Sequence, residues 1–556
     1  MSGSSVPPAA PPAAEVVPRL HVRDPDAWLR LACWIVVGLS ALQILVFSFG
    51  RDQGIYALLG EGILRGQLPY RDLWDFKPPG IFFVYAGAQA VFGKTMLAPR
   101  FIEVLALLGV VYCAGRLSQT FFGSRTVGYV GGAVAALIHA QLEFWHTAQP
   151  ETFGAVLTFG ALLLATEEGK RERRLVRWFL VGALFGLAAL LKPPLGGGAL
   201  VCAAYLSKRE QLRADKLWAG ALPVVMVSAG VLLPLSLCAG YFALQGGWSA
   251  LVWTMSEFTP GYTALGWEDA RAAGMLYYAL EEAFFKFSAL AAAGVFAAAA
   301  ITPMHGRERE GIFLVLGVIA LHVTGIAMQG KFFPYHYGAT LPLVAFLAGL
   351  GLYKLFRRCL AGGFGGVVAF VAFVAVAVAM RTASRDLPQD FWDRSAIRMR
   401  YLLRIPPYVS REVVDEQLAA VADVSLSADR AVARELRRRT PEGAPVFVWG
   451  FEPVVYWLAE RPPASRFIYN VPQRTTWERE RSRADLLRDL RQRPPAAIVV
   501  QRNDVFPMVT GNELDSRREV VNFPAFAELL ERDFELATSI EDFEIYLRKT
   551  RAAAGR

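Results

Sequence analysis

The chain has 556 residues, of which 54% are hydrophobic and 19% charged, and a formal net charge of +9. So little charge is unusual for a soluble protein of this length, and apolar runs of membrane-spanning length recur through the first two thirds, the mark of a polytopic membrane protein. The basic excess sits in short links between those runs, or mixed with acids in the last third, so it reads as a topology signal and not as a nucleic-acid surface; the five cysteines show no zinc spacing and no disulfide framework.

In chain order, residues 1–27 are rich in Pro, Ala and Ser and predict a disordered cytoplasmic tail, without the pattern of a cleaved signal peptide. Apolar runs predict eleven spans, at about 31–49, 97–116, 126–141, 153–168, 176–191, 195–207, 217–244, 284–303, 311–328, 338–356 and 363–380. The stretch "GIFFVYAGAQAVFG" (80–93) is too short to span comfortably and predicts an interfacial helix. With that choice the basic links, among them "EEGKRERRLVR" and "SKREQLRADK", all fall on one side, the cytoplasmic one by the positive-inside rule. Residues 50–96 then form a first outer loop, and everything after about 381 lies outside. There charge becomes dense. "APVFVWG", "SRFIYN" and "AAIVVQR" predict strands, "SADRAVARELRRR", "ERSRADLLRDLRQR" and "FPAFAELLERDF" predict helices, and "FELATSI" with "FEIYLRK" predict a closing hairpin around Glu541–Asp542. The alternation implies a small α/β domain.

Four polar clusters fall at the predicted outer ends of the spans: Arg51–Asp52 with Asp72, Asp75 and Lys77; His146 with Glu151; Lys192 in "LLKPPLGGG"; and Lys331, Tyr335, His336 and Tyr337 in "GKFFPYHYG". Each has a plain reading. Asp52 could cap a helix, Glu151 suits a helix N-terminus, and the lysines and aromatics could be interface anchors. The histidines lack the spacing of a metal site and read as hydrogen-bonding or belt residues. Gathered on one membrane face, the clusters fit a chemistry. A carboxylate can take a proton from an acceptor hydroxyl, and lysines can stabilise a lipid phosphate as it leaves.

The segment "RDQGIYALLGEGILRGQLPYRDLWDFKPPG" resembles the first outer loop of the GT-C superfamily of glycosyltransferases, in particular bacterial members of the protein-mannosyltransferase and aminoarabinose-transferase group (glycosyltransferase family 39 type). The likeness continues in order through "AQPETFGAVLTFGALLLA", "GLAALLKPPLG" and "GKFFPYHYGATLPLVAFLAGLGL". It implies an α-helical polytopic membrane protein of about 11 transmembrane helices over 28–380, with a small C-terminal extracytoplasmic α/β domain over 381–556. It further implies an inverting transfer of a sugar from a polyprenyl-phosphate donor to a hydroxyl of a lipid, glycan or protein acceptor at the outer face of a bacterial inner membrane. Residue by residue, it implies Asp52 as the base and Glu151 as a second carboxylate, with Lys77, Lys192, Lys331, Tyr335 and Tyr337 around the donor phosphate. Many relatives carry Asp-Glu where this chain has Asp52–Gln53, and an amide is neither a base nor a strong metal ligand. No cofactor is implied with certainty, and a divalent metal is left open. The competing reading is a transporter or flippase of lipid-linked sugars, which charges near the bilayer midplane and an inverted repeat would favour.

Overall fold

A computed structural model describes residues 24–167, 173–268, 270–301, 306–380, 390–419 and 424–549. The tail expected over 1–27 lies outside them as far as residue 23. Its last residues are already ordered, because Asp24 caps a helix that opens at Pro25.

Among the described residues, sixteen α-helices lead up to residue 379. The first half holds α1 (Pro25–Ile44), α2 (Arg51–Leu64), α3 (Gly80–Phe92), α4 (Leu97–Phe122), α5 (Arg125–Gln141), α6 (Pro150–Thr166), α7 (Arg174–Leu191) and α8 (Gly198–Ala214). The second holds α9 (Ala221–Leu244), α10 (Trp248–Trp253), α11 (Thr259–Ala264), α12 (Ala272–Glu281), α13 (Ala289–Ile301), α14 (Gly306–Gln329), α15 (Leu341–Ala361) and α16 (Gly363–Ala379). Each of the eleven expected spans meets a helix. Length and apolarity suffice for a crossing in five described cases, namely α1, α4, α7, α14 and the stretch Leu217–Leu244 that contains α9. The expected span 284–303 is broken: residues 272–286 and α13 meet at 98° and make a sixth crossing only if taken as one. Helices α3, α6 and α16 are apolar but shorter. Much of α5 and α15 is buried against neighbouring helices, so these two need less lipid-facing apolar surface.

The C-terminal region forms one four-stranded sheet in the order β1-β2-β4-β3, from β1 (Val446–Trp449), β2 (Ala497–Gln501), β3 (Phe534–Ile540) and β4 (Phe543–Arg548). Strands β1 and β2 are parallel and fully buried, joined by a crossover that contains the helix Arg479–Gln492. Strands β3 and β4 make the expected hairpin. The expected strand in "SRFIYN" does not form. Phe467, Ile468 and Tyr469 are buried, but the segment makes only an isolated bridge from Phe467 to Trp74.

That bridge matters for the site. Trp74 lies at the centre of an aromatic cluster with Phe258, Phe467 and Tyr469, at ring separations of 4.7, 5.9 and 5.8 Å. One continuous hydrophobic core therefore runs from the first outer loop into the sheet region.

Candidate active site

The loop after α1 is locked before it reaches the site. Arg100 at the start of α4 is fully buried and donates to the carbonyls of Ser48 (2.6 Å) and Phe144 (2.8 Å), which ties the loop ahead of α2 to the loop ahead of α6. Gln53 makes a second tie. Its amide donates to the carbonyls of Trp145 (3.0 Å) and Thr147 (2.7 Å), while its oxygen accepts from the Gly50 amide at 2.9 Å. A carboxylate could not make those two donations, so Gln53 acts here as a clamp. Gln53 also takes the capping role that the sequence offered to Asp52.

Asp52 is thus turned toward other partners. Its Oδ2 accepts from Lys77 Nζ at 2.7 Å and from Gln149 at 3.0 Å. Tyr56, one helical turn along on the same face, accepts from Lys77 Nζ at 2.7 Å and donates to Gln149 at 2.8 Å. Burial pushes the Asp52 carboxyl up, but the charge and hydrogen bond of Lys77, with the hydrogen bond from Gln149, outweigh it and hold Asp52 below the usual carboxylate value. Asp75 shapes the Lys77 turn by accepting from its backbone amide at 2.7 Å and from the Tyr469 hydroxyl at 3.3 Å. Burial, opposed by the charge of Lys77, raises Asp75 to about 6.

The other clusters converge on the same place. Pro193–Pro194 cannot continue α7, so the chain turns into the short helix Pro193–Gly197 and Lys192 leaves as the C-cap. Its ammonium pairs with Glu151 at the N-terminus of α6. Burial holds Lys192 below its usual value against the opposing charge of Glu151. The second carboxylate oxygen of Glu151 is buried without a hydrogen-bond partner. Lys331 is presented by a turn at Gly330, whose φ of +62° favours glycine. Its Nζ donates to the carbonyl of Met508 at 2.7 Å and lies 4.8 Å from the Tyr262 ring centroid. Burial brings Lys331 down to about 8, against the opposing charge of Glu268.

Lys77, Lys192, Lys331, Glu151 and Tyr335 line one cavity of about 390 Å³, with Leu191, Met255 and four prolines as its apolar wall. The Tyr335 ring lies between two of the cations, 5.0 Å from Lys77 Nζ and 5.7 Å from Lys192 Nζ. Two expected residues do not line the cavity: Asp52 sits behind its wall, joined to it through Lys77, and Tyr337 lies further off. Tyr337 packs instead against Phe287 at 5.2 Å, its hydroxyl buried and unpaired. His146 stacks on Trp145 at 3.8 Å, and burial drops it to about 3, so it is neutral. His336 lines the cavity with Nδ1 2.5 Å from the Lys331 carbonyl, which makes Nδ1 the protonated nitrogen. Tyr56, Gln149 and Tyr262 were not among the expected site residues. The spacing of Tyr56 from Asp52 was the one signal available for them.

The donor set does not suit a divalent cation. No three His, Cys, Asp or Glu side chains converge among the described residues, and Asp52 Oδ2 is already engaged by an ammonium and an amide.

A multi-helix membrane body with a cationic cavity between its helix ends and a small mixed sheet at its C-terminus is an ArnT-like GT-C fold. Residues 76–233 match the family described as dolichyl-phosphate-mannose-protein mannosyltransferase. Among solved structures, the chain is similar to ArnT from Cupriavidus metallidurans bound to undecaprenyl phosphate, at 14% identity and a TM-score of 0.59 over 96% of this chain and 100% of that one. The apo state of the same protein gives 15% identity and a TM-score of 0.57 over 94% and 97%. A looser likeness is to the oligosaccharyltransferase AglB from Archaeoglobus fulgidus in complex with an inhibitory peptide and a dolichol-phosphate, at 13% identity and a TM-score of 0.46 over 85% and 69%. No curated protein sequence matches significantly.

Proposed function

We propose that this protein transfers a sugar from a polyprenyl-phosphate donor to an acceptor hydroxyl, with inversion at the anomeric carbon. The observation that carries the reading is the convergence of three lysines from three separate loops on one apolar-walled cavity, with Asp52 bonded to one of them. A lipid phosphate needs cations where charge builds as the sugar–oxygen bond breaks, and Lys77, Lys192 and Lys331 supply them. Asp52 is ionised at neutral pH, and both of its hydrogen bonds within the described residues fall on Oδ2. Oδ1 can then take the acceptor proton as the hydroxyl oxygen attacks the anomeric carbon and the polyprenyl phosphate leaves. Glu151 holds Lys192 in place as a supporting carboxylate.

The same helices support an assignment of the membrane face. Helix α6 begins at the cavity with Glu151 and ends near Glu167, where Arg174, Arg177, Arg209 and Arg213 gather about 25 Å away. By the positive-inside rule that basic end reads as cytoplasmic, which supports our reading that the cavity and the sheet face outward from a bacterial inner membrane. The acceptor is a hydroxyl of a lipid, glycan or protein.

The deciding experiment uses Asp52→Asn, with membrane insertion checked. Transfer from a polyprenyl-phosphate sugar is expected to fall by about 100-fold or more, the usual contribution of a general base. Full activity in that variant would remove Asp52 from the mechanism.

A further inference from the structure

A second cavity, of about 260 Å³, lies beyond the C-terminal ends of β1 and β2, beside the turn between β3 and β4, with Arg51 on its wall. Its wall is polar: Arg51 from α2, Asp429 and Glu452 from the segments flanking β1, and Gln501, Arg502 and Asn503 at the end of β2. Several of these groups are satisfied. Arg51 donates to Glu452 Oε1 at 2.6 Å, Gln501 accepts from the Phe451 amide at 2.7 Å, and Asn503 donates to Asp542 at 2.7 Å.

Others are not satisfied. Asp429 is fully buried, and neither of its carboxylate oxygens has a hydrogen-bond partner among the described residues. Glu452 is 2% exposed, and its Oε2 has no hydrogen-bond partner among the described residues. Arg502 carries the complementary defect, a buried Nε–H without an acceptor. Buried polar atoms left unpaired are costly, and these four share one cavity wall. Burial and mutual repulsion raise Asp429 well above the usual carboxylate value, and burial raises Glu452 as well, despite Arg51. Both carboxyl groups are thus pushed toward the protonated form, in which each can donate as well as accept.

The pattern selects a ligand class. A metal ion would need several convergent ligands and would leave the arginine donor unpaired, and no three such ligands converge among the described residues. A phosphate would face two buried acidic groups. A hydroxyl-rich ring both donates and accepts, so it can satisfy the carboxyl oxygens and the guanidinium together. We infer that this cavity binds a saccharide ring, at a site separate from the lysine cavity.

The inference stands apart from the transfer reaction, because it concerns binding of free sugars and can fail while transfer persists. Purified full-length protein would be titrated with the methyl glycosides of glucose, galactose and mannose, followed by saturation-transfer NMR. Asp429→Asn preserves side-chain volume, and Arg502→Lys is a second variant should the first fail to fold. At least one glycoside is expected to bind the unaltered protein, and at least tenfold more weakly to a variant whose Tm is unchanged. Three results would overturn the inference: no glycoside binding, binding insensitive to both variants, or binding lost on Lys192→Ala instead, which would put the sugar in the lysine cavity.

Discussion

At the scale of residues, the three lysines are not equivalent. Lys77 is neutralised by Asp52 and Lys192 by Glu151, whereas the described partners of Lys331 are a carbonyl and an aromatic face. Burial therefore acts on Lys331 with little opposition, and it is charged below a pH of about 8 and neutral above it. If its ammonium holds the donor phosphate, donor affinity is present below pH 8 and declines as pH rises to 9, with KM climbing about tenfold while kcat changes little. Lys331→Arg keeps the charge at every pH in that range and should flatten the profile. A steady-state titration of donor between pH 7 and 9 measures both. The lysines and acids of the site were legible because ionisable residues stand out at the ends of apolar runs. Tyr56 and Gln149 were not, since an aromatic and an amide in such places are ordinary. Tyr337 was misplaced because sequence does not show which of two near-adjacent tyrosines in a short turn faces the cavity.

At the scale of elements, apolarity located the helices, but packing decides which of them have to be long and uniformly apolar. Helices α7 and α9 approach so closely that a Cβ on Gly182 would meet the Val227 carbonyl at 1.9 Å, and one on Gly230 would meet that of Phe179 at 2.0 Å. Small residues allow this contact, and in lipid such packing replaces the hydrophobic effect as the source of helix association. Since α7 delivers Lys192 at its C-terminal end, the contact also sets one wall of the cavity. Gly182→Leu should force the pair apart at a cost of about 1–3 kcal/mol or more and lower detergent-solubilised Tm by several degrees. Donor affinity should weaken with it, because Lys192 shifts. Thermal melting and donor binding on the same preparation test the two effects together. The break between residue 286 and α13 escaped the sequence because only Lys286 and Ser288 interrupt the apolar residues there, and no proline or glycine marks it. The segment 465–470 had strand-like residues, but their apolarity serves the Trp74 cluster and not a sheet.

At the scale of the whole molecule, the C-terminal region and the first outer loop act as one body. The Trp74 amide donates to the Arg466 carbonyl at 2.8 Å, Arg51 pairs with Glu452, and Lys331 donates to Met508, so the loop before the second span and two of the site's elements all rest on residues past 440. Sequence reading separated these parts at about residue 381, where composition changes, because composition reports local chemistry and cannot report a shared core. Trp74 is fully buried, and truncating such a residue costs about 3–5 kcal/mol. In Trp74→Ala the loss should therefore appear on both sides of the composition boundary. Deuterium uptake should rise in residues 68–79 and, equally, in 463–470, nearly four hundred residues away, while the amides of α5 and α15 in the helical body stay protected. Transfer activity should fall by at least tenfold, since the Lys77 turn loses its backing. Increased exchange confined to 68–79 would show that the sheet region stands by itself and that the loop merely leans on it.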